Sequence, residues 1–184
     1  PNKLNNNNIL CISSLEIFKN IKNLIYAAEI LQTKNINFNL NIIGPCSFRQ
    51  KLALEKLILK KKLSKKIKHY NQMNETNIRK NLLNSKVLVN PSNFESFGLP
   101  NLEAFVFGLK LACSNIPVFR EILNNYPFYF NQRSPKSIAK QLDKALKTKI
   151  KFSKKNISQV QKKFDWKKTS KRTFEIVVDA NNVI

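Results

Sequence analysis

Six short apolar runs alternate with amphipathic stretches along most of this 184-residue chain, and that order allows few folds. Residues 9–13, 38–43, 67–70, 87–89, 109–113 and 126–130 read as strands. Residues 20–32, 47–62, 74–84, 117–124 and 135–146, with a further interval starting near Pro100, read as helices. Their apolar side chains recur at three- and four-residue spacing, as Ile21, Leu24, Ile25, Ala28 and Leu31 do. Strands that each hand over to a helix must run parallel and be covered on both faces, so the pattern predicts an α/β fold with a doubly wound parallel, Rossmann-like sheet. Residues 1–8, polar and rich in asparagine, read as a linker, and residues 9–184 as one domain that ends in a helical segment around Phe164, Asp165 and Trp166.

The most informative stretch is VLVNPSNFESFGLPNLEAFVFGLKLACSNIPVFREI, residues 87–122. An apolar run stops at Asn90-Pro91-Ser92, and a loop carrying Glu95, Ser96, Phe97 and Gly98 feeds through Leu99 into Pro100. Proline is tolerated in the first helical turn because its missing N–H would be unpaired there. A helix therefore starts near Pro100, and Gly108 stands where it can end in a left-handed conformation. Glu95 falls in the loop at the carboxyl end of the strand and Glu103 about one turn into the helix, so both can border the crevice where open α/β sheets hold ligands. Helix amino termini present free N–H groups and a partial positive charge, which suits the turn at residues 98–101 to a phosphate or diphosphate. Taken singly, Glu95 is also readable as a solvated loop charge and Glu103 as an ordinary first-turn acid.

As an ordered set, Pro91-Ser92, Glu95-Ser96-Phe97-Gly98-Leu99-Pro100, Glu103-Ala104 and Gly108 resemble the E-x7-E signature of the retaining, nucleotide-sugar-dependent glycosyltransferases of family 4, "group 1". The resemblance implies that Glu95 is the catalytic-site carboxylate touching the donor sugar. It implies that Glu103 binds the nucleotide ribose, while Ser96, Phe97, Gly98 and Leu99 line the donor. It extends to the loop after the first strand, Ser13-Ser14-Leu15-Glu16-Ile17-Phe18-Lys19-Asn20, where Lys19 matches a diphosphate-binding lysine and Ser14 stands in place of its arginine partner. Gly44 corresponds to the family's glycine after the second strand, the segment 71–73 to one that flanks the base, and Lys110 replaces a usual proline. Trp166 reads as a packing anchor.

Family members pair two facing domains in the GT-B arrangement, and this chain resembles the carboxyl-terminal, donor-binding one. It is then part of a longer protein or one subunit whose partner supplies the amino-terminal acceptor domain. The implied partners are a nucleoside-diphosphate sugar and a saccharide or lipid-linked acceptor. No cofactor and no metal are expected, since no Asp-x-Asp motif occurs.

The rest of the composition excludes competitors. Gly44, Gly98 and Gly108 are the only glycines, so neither a G-x-G-x-x-G fingerprint nor a G-x-x-x-x-G-K-[ST] phosphate loop is present. Cys11, Cys46 and Cys113 are odd in number and widely spaced, and His69 is the single histidine, which argues against a disulfide framework or structural zinc. No apolar run approaches the roughly 20 residues that span a bilayer and no signal-peptide pattern opens the chain, so a cytoplasmic location, or one at the cytoplasmic membrane face, is expected. A net charge of +22 draws the chain toward polyanions, and a peripheral contact with an anionic membrane is one partner open to it. The excess is lysine spread over the whole chain, dense only in KKKLSKKIK at residues 60–68, where a solvated face is the simpler reading. Two alternatives remain open: a donor-binding module without activity of its own, and a basic nucleic-acid-binding domain. The second is disfavoured by scarce arginine and by phenylalanines placed at core periods, so no specific nucleic acid is expected.

Overall fold

The computed structural model describes residues 7–149 together with residues 167, 168, 170–172 and 175. The chain divides into two compact units, Pro1–Ile150 and Lys151–Ile184. The described residues of the second unit are helical, with Lys171 and Glu175 paired at 3.9 Å one turn apart. Phe164, Asp165 and Trp166 lie outside the described residues.

The first unit is built on six parallel strands: β1 (Asn8–Ile12), β2 (Asn39–Ile43), β3 (Ile67–Tyr70), β4 (Val87–Asn90), β5 (Lys110–Ser114) and β6 (Phe128–Phe130). They lie side by side in the order β3-β2-β1-β4-β5-β6, the doubly wound arrangement expected from the alternation. Each strand hands over to one of the helices α1 (Ile21–Thr33), α2 (Phe48–Lys60), α3 (Glu75–Asn84), α4 (Leu99–Val106), α5 (Pro117–Leu123) and α6 (Pro135–Lys147).

Strand alternation divides the core into two layers. Ile9, Cys11, Leu40, Ile42, Val87 and Val89 point to one face and form one cluster with the apolar stripes of α1, α2 and α6. Leu10, Leu88 and Leu111, one position out of step, are equally buried on the other face. Helix starts follow local chemistry. Ser47 caps α2 by accepting from Gln50 N at 3.3 Å while Gln50 Oε1 accepts from Ser47 N at 2.7 Å, a reciprocal capping box. Asn74 caps α3 in the simpler way, accepting from Asn77 N at 2.9 Å.

Most strand ends fall within a residue of the sequence reading, and two of the shifts have a visible reason. β1 begins at Asn8, a residue read as linker, because Asn8 O accepts from Lys86 N at 2.9 Å and its side-chain amide donates to Asn84 O at 3.1 Å. β6 begins only at Phe128. Pro127 has no N–H for a ladder, and Tyr126 is taken by a turn, its N donating to Leu123 O at 3.1 Å and its hydroxyl to Leu109 O at 2.8 Å. Lys110 opens β5, pairs with Val87, and sends Nζ to Thr148 O at 2.9 Å.

At the carboxyl end of β2 the backbone of Gly44 runs against the exit of β1. Any Cβ there would fall on the Ser13 carbonyl, which is backbone and cannot swing aside. Gly44→Ala is therefore expected to destabilise the unit by at least about 2 kcal/mol through forced displacement of the β1 exit loop, read as a lowered midpoint in urea unfolding. An unchanged midpoint would mean that the loop yields without cost.

Candidate functional site

β1 is the strand at which the sheet order reverses: β2 lies on one side of it and β4 on the other. Their exit loops part company, since α1 belongs to the core layer on one face and α4 does not, and a crevice opens between them. Several of the residues singled out in the sequence, though not Glu103, line this crevice. A cleft of about 410 Å³ lies between Ser13, Ser14, Gly44 and Pro45 on one side and Glu95, Ser96, Phe97, Gly98, Leu99 and Pro100 on the other, with Lys19 in its wall.

The two exit loops are stitched together. After β1 the chain makes a single 3-10 turn, Ile17–Lys19, and Asn20 then takes a left-handed conformation at φ 57°, which asparagine tolerates better than most residues. Its buried side-chain amide donates to Pro91 O at 2.9 Å and to Gln132 O at 2.9 Å, joining the loops after β1, β4 and β6. Asn93 N donates to Phe18 O at 2.7 Å. Thus held, Lys19 reaches across and places Nζ 2.6 Å from Glu95 Oε1, and Ser92 Oγ donates to the same carboxylate oxygen at 3.1 Å. Phe18 lies under the ammonium, 5.2 Å from ring centre to Nζ. Both charges are largely shielded from water, so the attraction is stronger than that of an exposed surface pair.

α4 supplies the second electrostatic feature. Gly98 precedes it at φ 85°, a conformation costly for any side chain, and an added Cβ would also lie 2.6 Å from the Phe119 ring and 3.1 Å from Asn101 Nδ2. Pro100 has no N–H to offer, and Asn101 N donates back to Gly98 O at 2.9 Å. The amides of Gly98 and Leu99 make no hydrogen bond to a described residue, so they remain available at the positive end of the helix, in the wall of the cleft.

Glu103 stands apart from this group. It is on the exposed side of α4, outside the residues that line the cleft, and partial desolvation by the surrounding protein raises its pKa above the ordinary glutamate value. Lys19, Glu95, Ser96, Phe97, Gly98 and Leu99 are therefore gathered in one place, and Glu103 lies further along the helix. The sequence reading assigned no role to Asn20, Ser92 or Asn101. A left-handed asparagine before a helix and a serine three residues from a loop carboxylate are weak signals, common on any surface. Asn101 gave none: it is 1 % exposed, and neither its Oδ1 nor its Nδ2 finds a hydrogen-bond partner among the described residues.

Comparison with known proteins decides the family. The profile described as "Glycosyl transferases group 1" matches residues 1–163. The chain belongs to this family.

Among curated relatives, the serotype-specific mannosyltransferase WbdA of Escherichia coli is 29 % identical over 134 residues, which is 73 % of this chain and 16 % of that protein. The O-antigen chain mannosyltransferase RfbU of Salmonella typhimurium is 29 % identical over 86 residues, 47 % of this chain and 24 % of RfbU. The chain thus spans a quarter or less of the length of these relatives. Among solved structures, sucrose-phosphate synthase of Thermosynechococcus elongatus superposes with a TM-score of 0.81 at 15 % identity, over 98 % of this chain and 47 % of that one. Anabaena HepE, solved in complex with UDP and glucose, gives 0.79 at 14 % identity, over 96 % of this chain and 49 % of HepE. At these identities the likeness is one of fold: a Rossmann-like half of the GT-B architecture.

Two outcomes follow from the geometry. In a double-mutant cycle on Lys19→Met and Glu95→Gln, the coupling energy from chemical unfolding is expected to be about 1–3 kcal/mol, more than an exposed pair gives, and no coupling would mean that the two charges are solvated independently. Asn101→Leu removes a desolvated amide without partners and is expected to raise stability by about 1 kcal/mol. A loss of stability would mean that the amide is hydrogen-bonded in solution.

Proposed function

We propose that this domain binds a nucleoside-diphosphate sugar in the β1–β4 cleft and, together with an acceptor-binding domain, transfers its glycosyl group with retention of configuration and without a metal ion. The observation that carries the proposal is the meeting of one shielded ammonium, Lys19 Nζ, with the two available amides of Gly98 and Leu99 in a single wall. That set matches a diphosphate, which needs cationic and N–H donors fixed in advance. As the sugar–phosphate bond breaks, negative charge grows on the departing nucleoside diphosphate, and these donors, already in place, stabilise it without reorganisation. Glu95 lies on the same ammonium and fixes it across the cleft. A bound donor shares Lys19 with it, leaving the carboxylate to accept from sugar hydroxyls. Glu103, further along α4, is assigned to the ribose, and the segment 71–73 to the base. HepE, solved with UDP and glucose, supports a nucleoside-diphosphate sugar as the donor class. The names of WbdA and RfbU favour mannose as the sugar.

Calorimetry with sugar conjugates of UDP, GDP and ADP, in the presence of a chelator, tests the binding half of the proposal. Binding of at least one is expected, and silence with all three would refute it. Ribose hydroxyls donate to an ionised carboxylate, so affinity for the nucleotide sugar, whose diphosphate stays fully ionised throughout, is expected to rise with pH as Glu103 loses its proton. The midpoint should lie above the usual glutamate value of about 4.3, because the folded protein raises the pKa of Glu103. Glu103→Gln should flatten this dependence and weaken binding by about 1–3 kcal/mol. A slope unchanged by the substitution would remove Glu103 from the site. In a complete two-domain enzyme, Glu95→Ala is expected to cut turnover at least about tenfold, some 1.4 kcal/mol of transition-state stabilisation. Wild-type turnover in that variant would dismiss Glu95 from the reaction.

A further inference from the structure

α2 carries two apolar stripes where a surface helix needs one. Leu54 and Ile58, with Leu57 beside them, face the core. Phe48, Leu52 and Leu59 point the other way and are 80 %, 41 % and 70 % exposed. Their spacing of four and then seven residues brings them within about 40° of one another around the helix, so they form a single outward stripe. Glu55 falls on the same line and is paired with Lys51 at 3.9 Å. Positive charge surrounds the stripe: Arg49, Lys51, Lys56, Lys60, Lys62 and Lys65 are all exposed, the last three in the dense basic block. A helix with an apolar stripe set among cations matches an anionic lipid surface, whose headgroups take the lysines while the stripe enters the boundary with the acyl chains. A water-facing helix has no use for an exposed phenylalanine and two leucines in register.

We infer that the outer face of α2, with the basic segment that follows it, docks on the surface of an anionic phospholipid bilayer. The stripe is what distinguishes this docking from the diffuse attraction that a net charge of +22 exerts on any polyanion. Its position has a consequence. Pro45, three residues before Phe48, lines the cleft, and Gln50 Nε2 donates to Glu16 Oε1 at 3.1 Å, tying the first turn of α2 to the loop that carries Lys19. A bilayer seated on α2 therefore lies beside the mouth of the cleft.

Vesicle flotation tests this on the 184-residue chain, with vesicles of phosphatidylglycerol mixed with phosphatidylcholine and of phosphatidylcholine alone, at low and moderate salt. The wild-type chain is expected on the anionic vesicles at both salt concentrations and absent from the neutral ones. The triple variant Phe48→Ser, Leu52→Ser, Leu59→Ser keeps every charge and alters only exposed side chains, so its melting temperature should match that of the wild type. Because burial of even one such side chain is worth about tenfold in partition, the variant should bind at least about tenfold more weakly and be stripped off by moderate salt. The variant Lys56→Gln, Lys60→Gln, Lys62→Gln, Lys65→Gln should also lose binding, with the stripe intact. Equal binding by the serine variant and the wild type would overturn the inference in favour of charge alone. So would a wild-type chain that ignores anionic vesicles, or one that elutes as a dimer which the serine variant dissolves, since the stripe would then cover a second copy.

Discussion

Two adjacent parallel strands whose connections leave in opposite directions cannot close the space between their carboxyl ends, and the rest of this structure is arranged around that gap. β1 sends its chain to α1 and β4 sends its chain to α4, on opposite faces of the sheet. Backbone left there without regular partners must find them elsewhere. Asn20, reaching Pro91 O and Gln132 O, and Asn93 N, reaching Phe18 O, are the answer the chain uses. The same links that repair the backbone hold Lys19 over Glu95, so the stability of the gap and the geometry of the candidate site have a common origin.

Electrostatics within the cleft follow from how few of the charges are placed. The chain has 33 basic residues, yet the described cleft wall contains one, Lys19. Its strength comes from position: it is shielded from water, backed by the Phe18 ring, and lines the same cleft as the residues that open α4. Ser14, which stands where the family resemblance implies a second cation, lines the same cleft. On the proposed reading, the backbone amides of Gly98 and Leu99, fixed by the left-handed turn, carry a larger part of diphosphate binding than they would beside an arginine.

What the sequence disclosed, and what it withheld, divide along the range of the interactions. Strands and helices came from local periods, and their ends moved by a residue or two; at Asn8 and Tyr126 a distant partner accounts for the shift. Gly98 and Pro100 marked the start of α4 because left-handed turns and first helical turns have narrow residue preferences. The Lys19–Glu95 contact joins residues 76 positions apart, and nothing in either neighbourhood encodes the other. Glu103 was expected to share the crevice with Glu95, and periodicity gives its angle on α4 but not the depth of the cleft beside it. Residues 47–62 were legible only as a helix. That Phe48, Leu52 and Leu59 face away from the core emerges only when the inward stripe is seen to be complete without them.

The account stands on the claim that a diphosphate sits at the start of α4 under Lys19. Backbone amide shifts, followed by nuclear magnetic resonance during titration with a nucleotide sugar in the presence of a chelator, address that claim residue by residue. The expected result is that the largest changes fall on Gly98 and Leu99, with Lys19 and Ser14 next. Shifts spread over residues 60–68 while Gly98 and Leu99 stay still would contradict it, because the nucleotide would then be held by diffuse charge and not by the switch-point cleft.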